Sequence, residues 1–235
     1  MNILITGTSS GVGNGLAKHY LKDGHIVYGI SRKIDEALSQ NKSFNFLSQD
    51  LSQFNETAKN VSDFLGDVSK LDLVVLNAGK LNEIKDMRDT SIEEIKAVMD
   101  INVWANKILI DTIHKEVKTV KQIVAISSGA AVHGSRGWNA YSLSKATLNM
   151  LIDLYSKELT ETHLTALAPG LIDTNMQDYI YKNADQNKFP VVQKLKKAKG
   201  TPQMPQPGDA AKTIAEAIKK IKMHDSGEFL DVRNL

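Results

Sequence analysis

The chain has 235 residues, of which 42% are hydrophobic and 24% charged, values typical of a globular protein large enough for one α/β domain. Its 29 basic and 27 acidic residues are spread along the sequence, and no dense basic block indicates a surface for nucleic acid or an anionic membrane. Cysteine is absent, which excludes disulfides, thiolate metal sites and a cysteine nucleophile.

Further classes of protein are disfavoured by local patterns. The six histidines do not stand at metal-ligand spacing beside carboxylates, so no metal site is predicted. The chain opens on a strand pattern without a charged leader, and no apolar run reaches 18 residues. We therefore expect neither a cleaved secretory signal nor a membrane span, and a cytoplasmic location.

Short apolar runs alternate with longer amphipathic segments, the pattern of βαβ units around a parallel sheet. Seven runs are predicted to be strands: NILIT (2–6), HIVYGIS (25–31), SFNFLSQ (43–49), LDLVVLN (71–77), KQIVAISS (121–128), THLTALAPG (162–170) and GEFLDV (227–232). Helices are predicted for VGNGLAKHYLKDG (12–24), for a long segment from Ser91 to Val117, around Tyr141, and for DAAKTIAEAIKKIK (209–222). Residues 171–207, with several prolines, are expected to be a lid or substrate loop within one domain spanning 1–235.

The turn after the first strand is rich in glycine. Gly7, Gly11 and Gly13 are spaced G-x-x-x-G-x-G directly before the first helix. Glycine lets the backbone approach a pyrophosphate, which then lies on unpaired N–H groups at the helix N-terminus. The spacing differs from the usual G-x-G-x-x-G fingerprint, and a simple structural turn is the alternative; the position between strand and helix favours dinucleotide binding.

The segment after the second strand predicts which dinucleotide is preferred. Ser31, Arg32 and Lys33 stand where a carboxylate would bind the 2′-hydroxyl of NAD. A guanidinium binds a 2′-phosphate through charge-assisted hydrogen bonds, whereas a carboxylate would repel it. The sequence thus favours NADP(H) over NAD(H), the alternative being that Arg32 merely lies in solvent at a strand end.

A phenol and an ammonium are placed together in the stretch NAYSLSKATLNM. Tyr141 and Lys145 are four residues apart in a predicted helix, so their side chains share one face. On a solvated surface such a pair stabilises little, and a Y-x-x-x-K match arises easily by chance. Its meaning depends on the other motifs that accompany it.

Those motifs occur in a characteristic order. TGTSSGVG, NAG, NVW, ISS ending at Ser128, YSLSK and PGLIDT follow one another along the chain. Over essentially its whole length the sequence resembles the short-chain dehydrogenase/reductase family in its compact form, with LNAG where the family usually has a doubled asparagine. The resemblance implies a three-layer, doubly wound Rossmann-type α/β fold, with a central parallel sheet of about seven strands and helices on both faces.

The resemblance also implies a set of functional residues. The family's catalytic tetrad corresponds to Asn102, Ser128, Tyr141 and Lys145. The cofactor site would comprise Tyr141 and Lys145 together with Gly7, Ser9, Ser10, Gly11, Val12, Gly13, Ser31, Arg32, Asp50, Leu51, Asn77, Ala78, Gly79, Pro169, Gly170, Ile172 and Thr174. Within that set, Asp50 would hold the adenine and Thr174 the nicotinamide carboxamide.

A mechanism follows from these residue types. A free tyrosine has a pKa near 10, and we expect the Lys145 cation to lower the pKa of Tyr141 so that it exchanges protons with substrate. Ser128 would hydrogen-bond the substrate oxygen. By the resemblance, Lys145 would also bind the nicotinamide ribose. On position alone Asn102 is more simply a satisfied core asparagine, but the resemblance implies a water, held by Asn102, that relays protons to Lys145.

Substrate and partner surfaces are less readable. His133 and Trp138 precede Tyr141 and are candidate substrate contacts, with loop surface an equal alternative; Met176, Tyr179, Ile180 and Tyr181 are candidate lid residues. The 91–117 helix is apolar on more than one face, which predicts a subunit contact and a homodimer or homotetramer; these positions are Val98, Met99, Val103, Trp104, Ile108, Leu109, Ile110 and Ile113.

Together these features predict an NADP(H)-dependent oxidoreductase that reduces a moderately apolar ketone or aldehyde. Two alternatives use the same fold: an NAD-linked secondary-alcohol dehydrogenase, which Arg32 disfavours, and a non-catalytic NADP(H)-sensing regulator, which the intact tetrad disfavours. No nucleic-acid or membrane partner is predicted.

Overall fold

The computed structural model describes residues 1–235. Nine strands are present: β1 Asn2–Thr6, β2 Ile26–Ser31, β3 Phe44–Ser48, β4 Lys70–Leu71, β5 Leu73–Leu76, β6 Thr119–Val120, β7 Gln122–Ile126, β8 His163–Ala168 and β9 Phe229–Asp231. Seven of them form one parallel sheet in the order β3-β2-β1-β5-β7-β8-β9, and β4 pairs with β6 in a small separate ladder. The seven-stranded parallel sheet confirms the predicted fold.

Nine α-helices connect the strands. They are α1 Gly11–Lys22, α2 Glu36–Ser39, α3 Phe54–Leu65, α4 Ile92–Met99, α5 Ala105–Glu116, α6 Asn139–Glu158, α7 Asn175–Asn183, α8 Pro190–Ala198 and α9 Pro207–Lys220. None of them is both long and apolar enough to cross a membrane.

Two apolar layers lie against the sheet, one on each face. On one face the sheet packs against α3, α5 and α6 through side chains such as Val61, Leu109 and Ile152. On the other it packs against α1 and α9 through side chains such as Leu16 and Ile214. Because both faces are covered, the inner strands are continuous apolar runs, which is why their sequences are not alternating.

The strand order reverses next to β1. The chain builds outward from β1 through β2 to β3, then returns to place β5 on the other side of β1. A crevice opens at the carboxyl ends of the strands at such a switch point, and ligands of doubly wound sheets bind there. The turns after β1, β2, β5, β7 and β8 all reach this edge.

The long helix predicted between Ser91 and Val117 is helical throughout but not uniform. Residues Asp100–Trp104 between α4 and α5 form a π-helical turn, in which the N–H of Ala105 bonds the carbonyl of Asp100. Single π turns within helices are frequent at functional sites, and this one contains Asn102.

The structure also contains elements that the sequence analysis did not predict. Helix α3 carries apolar residues at helical spacing and was overlooked between two strands. Residues 171–207, expected to be a loop, contain α7 and α8. These two helices enclose a third apolar cluster, formed by Ile84, Trp138, Ile180, Phe189, Val192, Leu195, Ala198 and Met204.

Candidate active site

A cavity of about 980 Å³ lies at the carboxyl edge of the sheet. Every predicted site residue except the inward-facing Gly13 and Asn102 lines it. Its size is that of a site for a large organic ligand. The topology brings together residues that are more than 150 positions apart in sequence.

The glycine-rich turn closes one wall of the cavity. Gly7 has a φ of 75°, and a Cβ on Gly13 would stand 2.4 Å from the Gly7 carbonyl oxygen, so a side chain at either position would strain the turn. The Asn77 side chain donates to the carbonyls of Thr6 at 2.9 Å and Gly7 at 3.4 Å. Asn77 therefore braces the turn. Ser10, the N-cap residue of α1, makes no side-chain capping bond, and the α1 N-terminus faces the cavity.

This cradle fits a dinucleotide pyrophosphate. Backbone N–H groups and the positive end of the α1 dipole would hold the phosphates, and the glycines leave room for them to approach. Val12 and Ser9 lie along the same wall. A nicotinamide dinucleotide bound here would supply the hydride.

The end of the cavity beside the last residue of β2 has basic character. Ser9, Arg32 and Lys33 line a small recess beside the main cavity, and both cations are exposed. The Ser31 hydroxyl donates to the Lys33 carbonyl at 2.8 Å, which fixes the strand end that carries them. The recess has no carboxylate among its lining residues.

Asp50 lies across the cavity from the glycine turn. Its carboxylate accepts from the backbone N–H and the hydroxyl of Ser52, at 3.0 and 2.8 Å. These bonds, helped by the charge of Arg32, hold the pKa of Asp50 below its usual value. The side chain is thus an ionised acceptor, and the neighbouring Leu51 is buried.

The turn after β8 forms a further part of the cavity wall. Pro169, Gly170, Ile172 and Thr174 line the cavity there, and the φ of Gly170 is 80°. Thr174 precedes α7 but makes no side-chain capping bond. The Thr174 Cγ2 lies 3.5 Å from the position that a Cβ on Gly11 would occupy. The turn after β8 therefore lies beside the glycine-rich turn.

Tyr141 and Lys145 both face the cavity from the first turns of α6. The Lys145 Nζ lies 5.7 Å from the centre of the Tyr141 ring and donates to the Ile126 carbonyl at 2.7 Å. Lys145 is 4% exposed, and this burial lowers its pKa to about 8. The pair is therefore not a solvated surface pair.

The expected lowering of the Tyr141 pKa is wrong for the protein as the structure has it. Burial raises the pKa of Tyr141, and hydrogen bonding with Ser128 opposes that rise only partly. Desolvation destabilises the phenolate and the ammonium alike, so burial moves the pKa of each group towards its neutral form. The proximity of Lys145 therefore does not outweigh the burial of the Tyr141 phenol.

Ser128 stands beside the phenol on the same rim. It follows β7 and begins the short 3₁₀ turn Gly129–Ala131, where its hydroxyl accepts from the Ala130 N–H at 3.1 Å. That bond fixes the rotamer of Ser128, whose hydroxyl also hydrogen-bonds with Tyr141. The structure thus brings together Ser128, Tyr141 and Lys145 from two elements.

Asn102 does not face the cavity but lies fully buried behind it. Its side chain accepts from the Lys80 N–H at 2.7 Å and donates to the Lys80 carbonyl at 2.9 Å and the Ser144 hydroxyl at 2.8 Å. The Asn102 side chain is fully engaged, as the reading from position alone predicted. It ties the π-helical turn to α6 and to the loop after β5.

Two further asparagines were missed by sequence reasoning. The buried Asn82 side chain accepts the Tyr141 backbone N–H at 2.9 Å and donates to the Gly137 carbonyl at 3.2 Å. Asn139 donates to the Lys85 carbonyl at 2.6 Å. The first turn of α6 has no side-chain cap of its own, so these amides fix the helix that carries Tyr141. Their partners are distant in sequence, and no local pattern marks them.

The part of the cavity beside Tyr141 is enclosed by the third apolar cluster. Trp138, a candidate substrate contact, lines the cavity, as do the candidate lid residues Met176 and Ile180, and exposed His133 lies at its mouth. Tyr179 and Tyr181 do not line it. Tyr179 is 43% exposed, and the Tyr181 hydroxyl donates to the Leu195 carbonyl at 3.1 Å. Lining residues that the sequence analysis missed include Leu81, Gln177, Val191, Leu195, Asp231 and Arg233.

An ionic cluster joins residues 171–207, the predicted lid, to the rest of the cavity rim. The Asp86 carboxylate binds the Arg136 guanidinium through two bonds of 2.6 and 2.8 Å and the Lys188 ammonium at 3.0 Å. Both cations lie over the Phe189 ring. Asp86, Arg136 and Lys188 come from three segments, so the cluster holds the lid against the loop before α6.

No group of three or more histidine or acidic side chains with metal-binding geometry occurs.

The model of the short chain dehydrogenase family matches residues 1–185. The chain belongs to the short-chain dehydrogenase/reductase family. Proteins of this family are oxidoreductases that bind NAD(P)(H), which agrees with the dinucleotide cradle described above.

Relatives within the short-chain dehydrogenase/reductase family include reductases of different ketones. A benzil reductase ((S)-benzoin forming) of Bacillus cereus is 30% identical, over 79% of this chain and 81% of its own. A 3-oxoacyl-(acyl-carrier-protein) reductase of Rickettsia bellii is 31% identical, over 97% of this chain and 93% of its own. The crystal structure of a family member from Saccharomyces cerevisiae matches with a TM-score of 0.85 at 24% identity, covering 98% and 95% of the two chains.

Proposed function

We propose that the protein is an NADPH-dependent reductase of ketones or aldehydes. The observation that supports this most strongly is the placement of Tyr141, Lys145 and Ser128 on one rim of a cavity whose other end is a glycine cradle with a basic recess. The names of the two relatives above describe carbonyl reduction, which favours the same chemistry.

Tyr141 is proposed as the general acid. Its raised pKa keeps the phenol protonated at neutral pH, so it is ready to donate a proton to a developing alkoxide. Ser128 would donate a hydrogen bond to the same oxygen, and donors aimed at developing charge act more strongly in a site shielded from water. Both donors lie on the substrate side of the cavity.

Lys145 is proposed to replenish that proton and to bind the ribose of the nicotinamide half. Its pKa of about 8 makes it a good proton donor close to neutral pH. Asn102 has its side chain bonded to Lys80 and Ser144, so any water relay would have to use its backbone carbonyl, which already accepts from the Asn106 side chain at 2.8 Å. The relay remains a prediction, and Asn102 is proposed as a positioning residue.

Arg32 and Lys33 are proposed to bind the 2′-phosphate of NADP(H), with Asp50 on the adenine and Thr174 on the nicotinamide carboxamide. The substrate would place its carbonyl at Tyr141 and an apolar substituent against Trp138 and the lid. We thus propose moderately apolar ketones as the substrate class.

A homodimer or homotetramer is part of the proposal. Several residues predicted to form the subunit contact are instead buried within the chain, including Val103, Leu109 and Ile110. An exposed apolar stripe nevertheless remains on α6 beside Trp104 and consists of Leu143, Met150 and Leu154. Exposed apolar stripes of this kind mark protein contacts.

The cytoplasmic location also remains a prediction.

The test measures NADPH oxidation at 340 nm with benzil, acetophenone and a series of aldehydes. Wild type should reduce at least one of them, and Tyr141→Phe should lose about 10²–10⁴-fold in kcat while it binds NADPH as tightly. Tight NADPH binding without turnover of any compound would favour the sensing regulator. Faster alcohol oxidation with NAD would favour the dehydrogenase alternative.

A further inference from the structure

The N-terminus of α7 carries the sequence of a capping box that is not formed. Thr174 and Gln177 have the T-x-x-Q spacing in which each side chain bonds the backbone of the other. The Thr174 side chain caps no N–H, and the Gln177 N–H bonds the Thr174 carbonyl at 2.8 Å instead. The Gln177 side-chain oxygen Oε1 is buried and has no hydrogen-bond partner.

Helix α4 begins with the same capping-box sequence, and there the capping box is formed. At α4 the Ser91 hydroxyl accepts from the Glu94 N–H at 3.2 Å, and the Glu94 carboxylate accepts from the Ser91 N–H at 2.9 Å. The difference lies in the surroundings, because Thr174 and Gln177 both line the cavity and Ser91 and Glu94 do not. A buried acceptor without a donor destabilises the protein. Asn106, Ser142 and Gln177 each have such an unpaired side-chain atom, and of the three only Gln177 lines the cavity, where a ligand can supply the donor.

We propose that Gln177 is a ligand-binding residue that accepts a hydrogen bond from an N–H or O–H group at the nicotinamide end of the cavity. This inference rests on the proposed function. The donor would be either the carboxamide of the nicotinamide or a hydroxyl next to the substrate carbonyl. Both are polar groups that can lie between α7 and Tyr141. Gln177 lines this part of the cavity, and a rotation of its side-chain amide would bring the buried, unpaired Oε1 to the ligand.

The first experiment tests whether the nicotinamide carboxamide is the hydrogen-bond donor, and it measures cofactor binding without turnover. Wild type, Gln177→Leu and Gln177→Glu are titrated with NADP⁺ and with its 3-acetylpyridine analogue, which lacks the carboxamide N–H. If the carboxamide is the donor, Gln177→Leu should weaken NADP⁺ binding on the order of threefold to tenfold and leave the analogue unaffected. Gln177→Glu, which keeps the acceptor, should retain the preference for NADP⁺.

The second experiment tests whether a substrate hydroxyl is the hydrogen-bond donor. It compares a matched pair of ketones, 2-hydroxyacetophenone and acetophenone. If a substrate hydroxyl is the donor, Gln177→Leu should raise KM for the hydroxylated ketone by a similar factor, with acetophenone and NADP⁺ binding unchanged. The unfolding temperature of the ligand-free protein should be unchanged or higher in Gln177→Leu, because an unpaired acceptor is removed.

Unchanged affinity for all four ligands in Gln177→Leu would overturn the inference while leaving the proposed function intact. A lower unfolding temperature with equal losses for all four ligands, not rescued by Gln177→Glu, would identify a structural residue and also overturn it. Wild type that fails to bind NADP⁺ or to reduce either ketone would instead contradict the proposed function.

Discussion

Helices α4 and α7 begin alike in sequence and differently in structure. Each has a hydroxyl residue followed three positions later by Glu or Gln, but Ser91 and Glu94 satisfy each other whereas Thr174 and Gln177 do not. The α4 turn lies away from the cavity, where its polar groups bond each other and Glu94 also pairs with Lys85 at 2.7 Å. The α7 turn lies on the cavity, where a ligand can serve as the partner. Local sequence therefore specifies the helix start, but its surroundings decide whether the cap closes.

Other buried polar groups of this protein also differ in whether they have hydrogen-bond or charge partners within the fold. The buried amides of Asn82 and Asn102 have donors and acceptors matched within the fold. Lys145 is buried with a single bond to a backbone carbonyl and without a carboxylate partner. Matched groups stabilise the structure, and unmatched groups reduce its stability in return for binding or proton transfer.

Among the substitutions that test this contrast between matched and unmatched groups, Lys145→Met is expected to have the largest effect. Turnover should fall on the order of 10²-fold, because the proposed proton donor behind Tyr141 is lost. The ligand-free variant should nevertheless be more stable than wild type at pH 7, because the buried ammonium is removed and methionine fills a similar volume. Thermal unfolding and NADPH oxidation measure the two quantities.

The stability difference should depend on pH. The pKa of Lys145 is about 8 in the folded protein and near 10.5 when unfolded, so between these values the unfolded state binds more protons and the stability of wild type rises with pH. The advantage of Lys145→Met should thus be constant below pH 8 and shrink from pH 8 to 10.5. Lys118→Met, which removes an exposed charge, is the control. A constant difference over the whole range would contradict burial of the ammonium.

The next effect concerns the basic recess at the other end of the cavity. Arg32→Asp should weaken NADPH binding about 10- to 100-fold and reverse the preference towards NADH, since a carboxylate repels the 2′-phosphate and binds the 2′-hydroxyl. Arg32 is exposed, so the unfolding temperature should change little. Fluorescence titrations with both cofactors provide the affinities.

The control for this charge change is Arg88→Asp, which alters net charge equally at an exposed position outside the cavity. It should leave both affinities unchanged. Equal affinity of wild type for NADPH and NADH would contradict the assignment of Arg32, whatever the variant does.

Much of this arrangement can be predicted from sequence because it is local. The seven central strands are apolar runs, and the glycine turn and the Tyr141–Lys145 spacing are each encoded within about ten residues. The lid was predicted as a loop because its prolines and polar residues mask two amphipathic helices, whose apolar faces are completed by Ile84 and Trp138 from elsewhere. The role of Asn82 could not be predicted, since its partner is 59 residues away.

Electrostatics was the other part that the sequence could not settle. Helical spacing placed Lys145 near Tyr141, but the direction of the Tyr141 pKa depends on how deeply both groups are buried. Burial is a property of the packed fold around the cavity, including β7 and α6. The predicted lowering therefore failed even though the predicted proximity holds.

The smallest expected effect concerns the N-termini of α4 and α7. Ser91→Ala removes a formed cap and should lower stability by about 1 kcal/mol, or about 2–4 °C in unfolding temperature, with kcat and NADPH affinity within about twofold of wild type. Thr174→Ala removes a hydroxyl that caps nothing, so it should leave the unfolding temperature of the ligand-free protein unchanged and weaken NADPH binding. If Thr174→Ala destabilised the ligand-free protein as much as Ser91→Ala does, the α7 turn would be an ordinary capped helix, and its open polar groups would need no ligand to explain them.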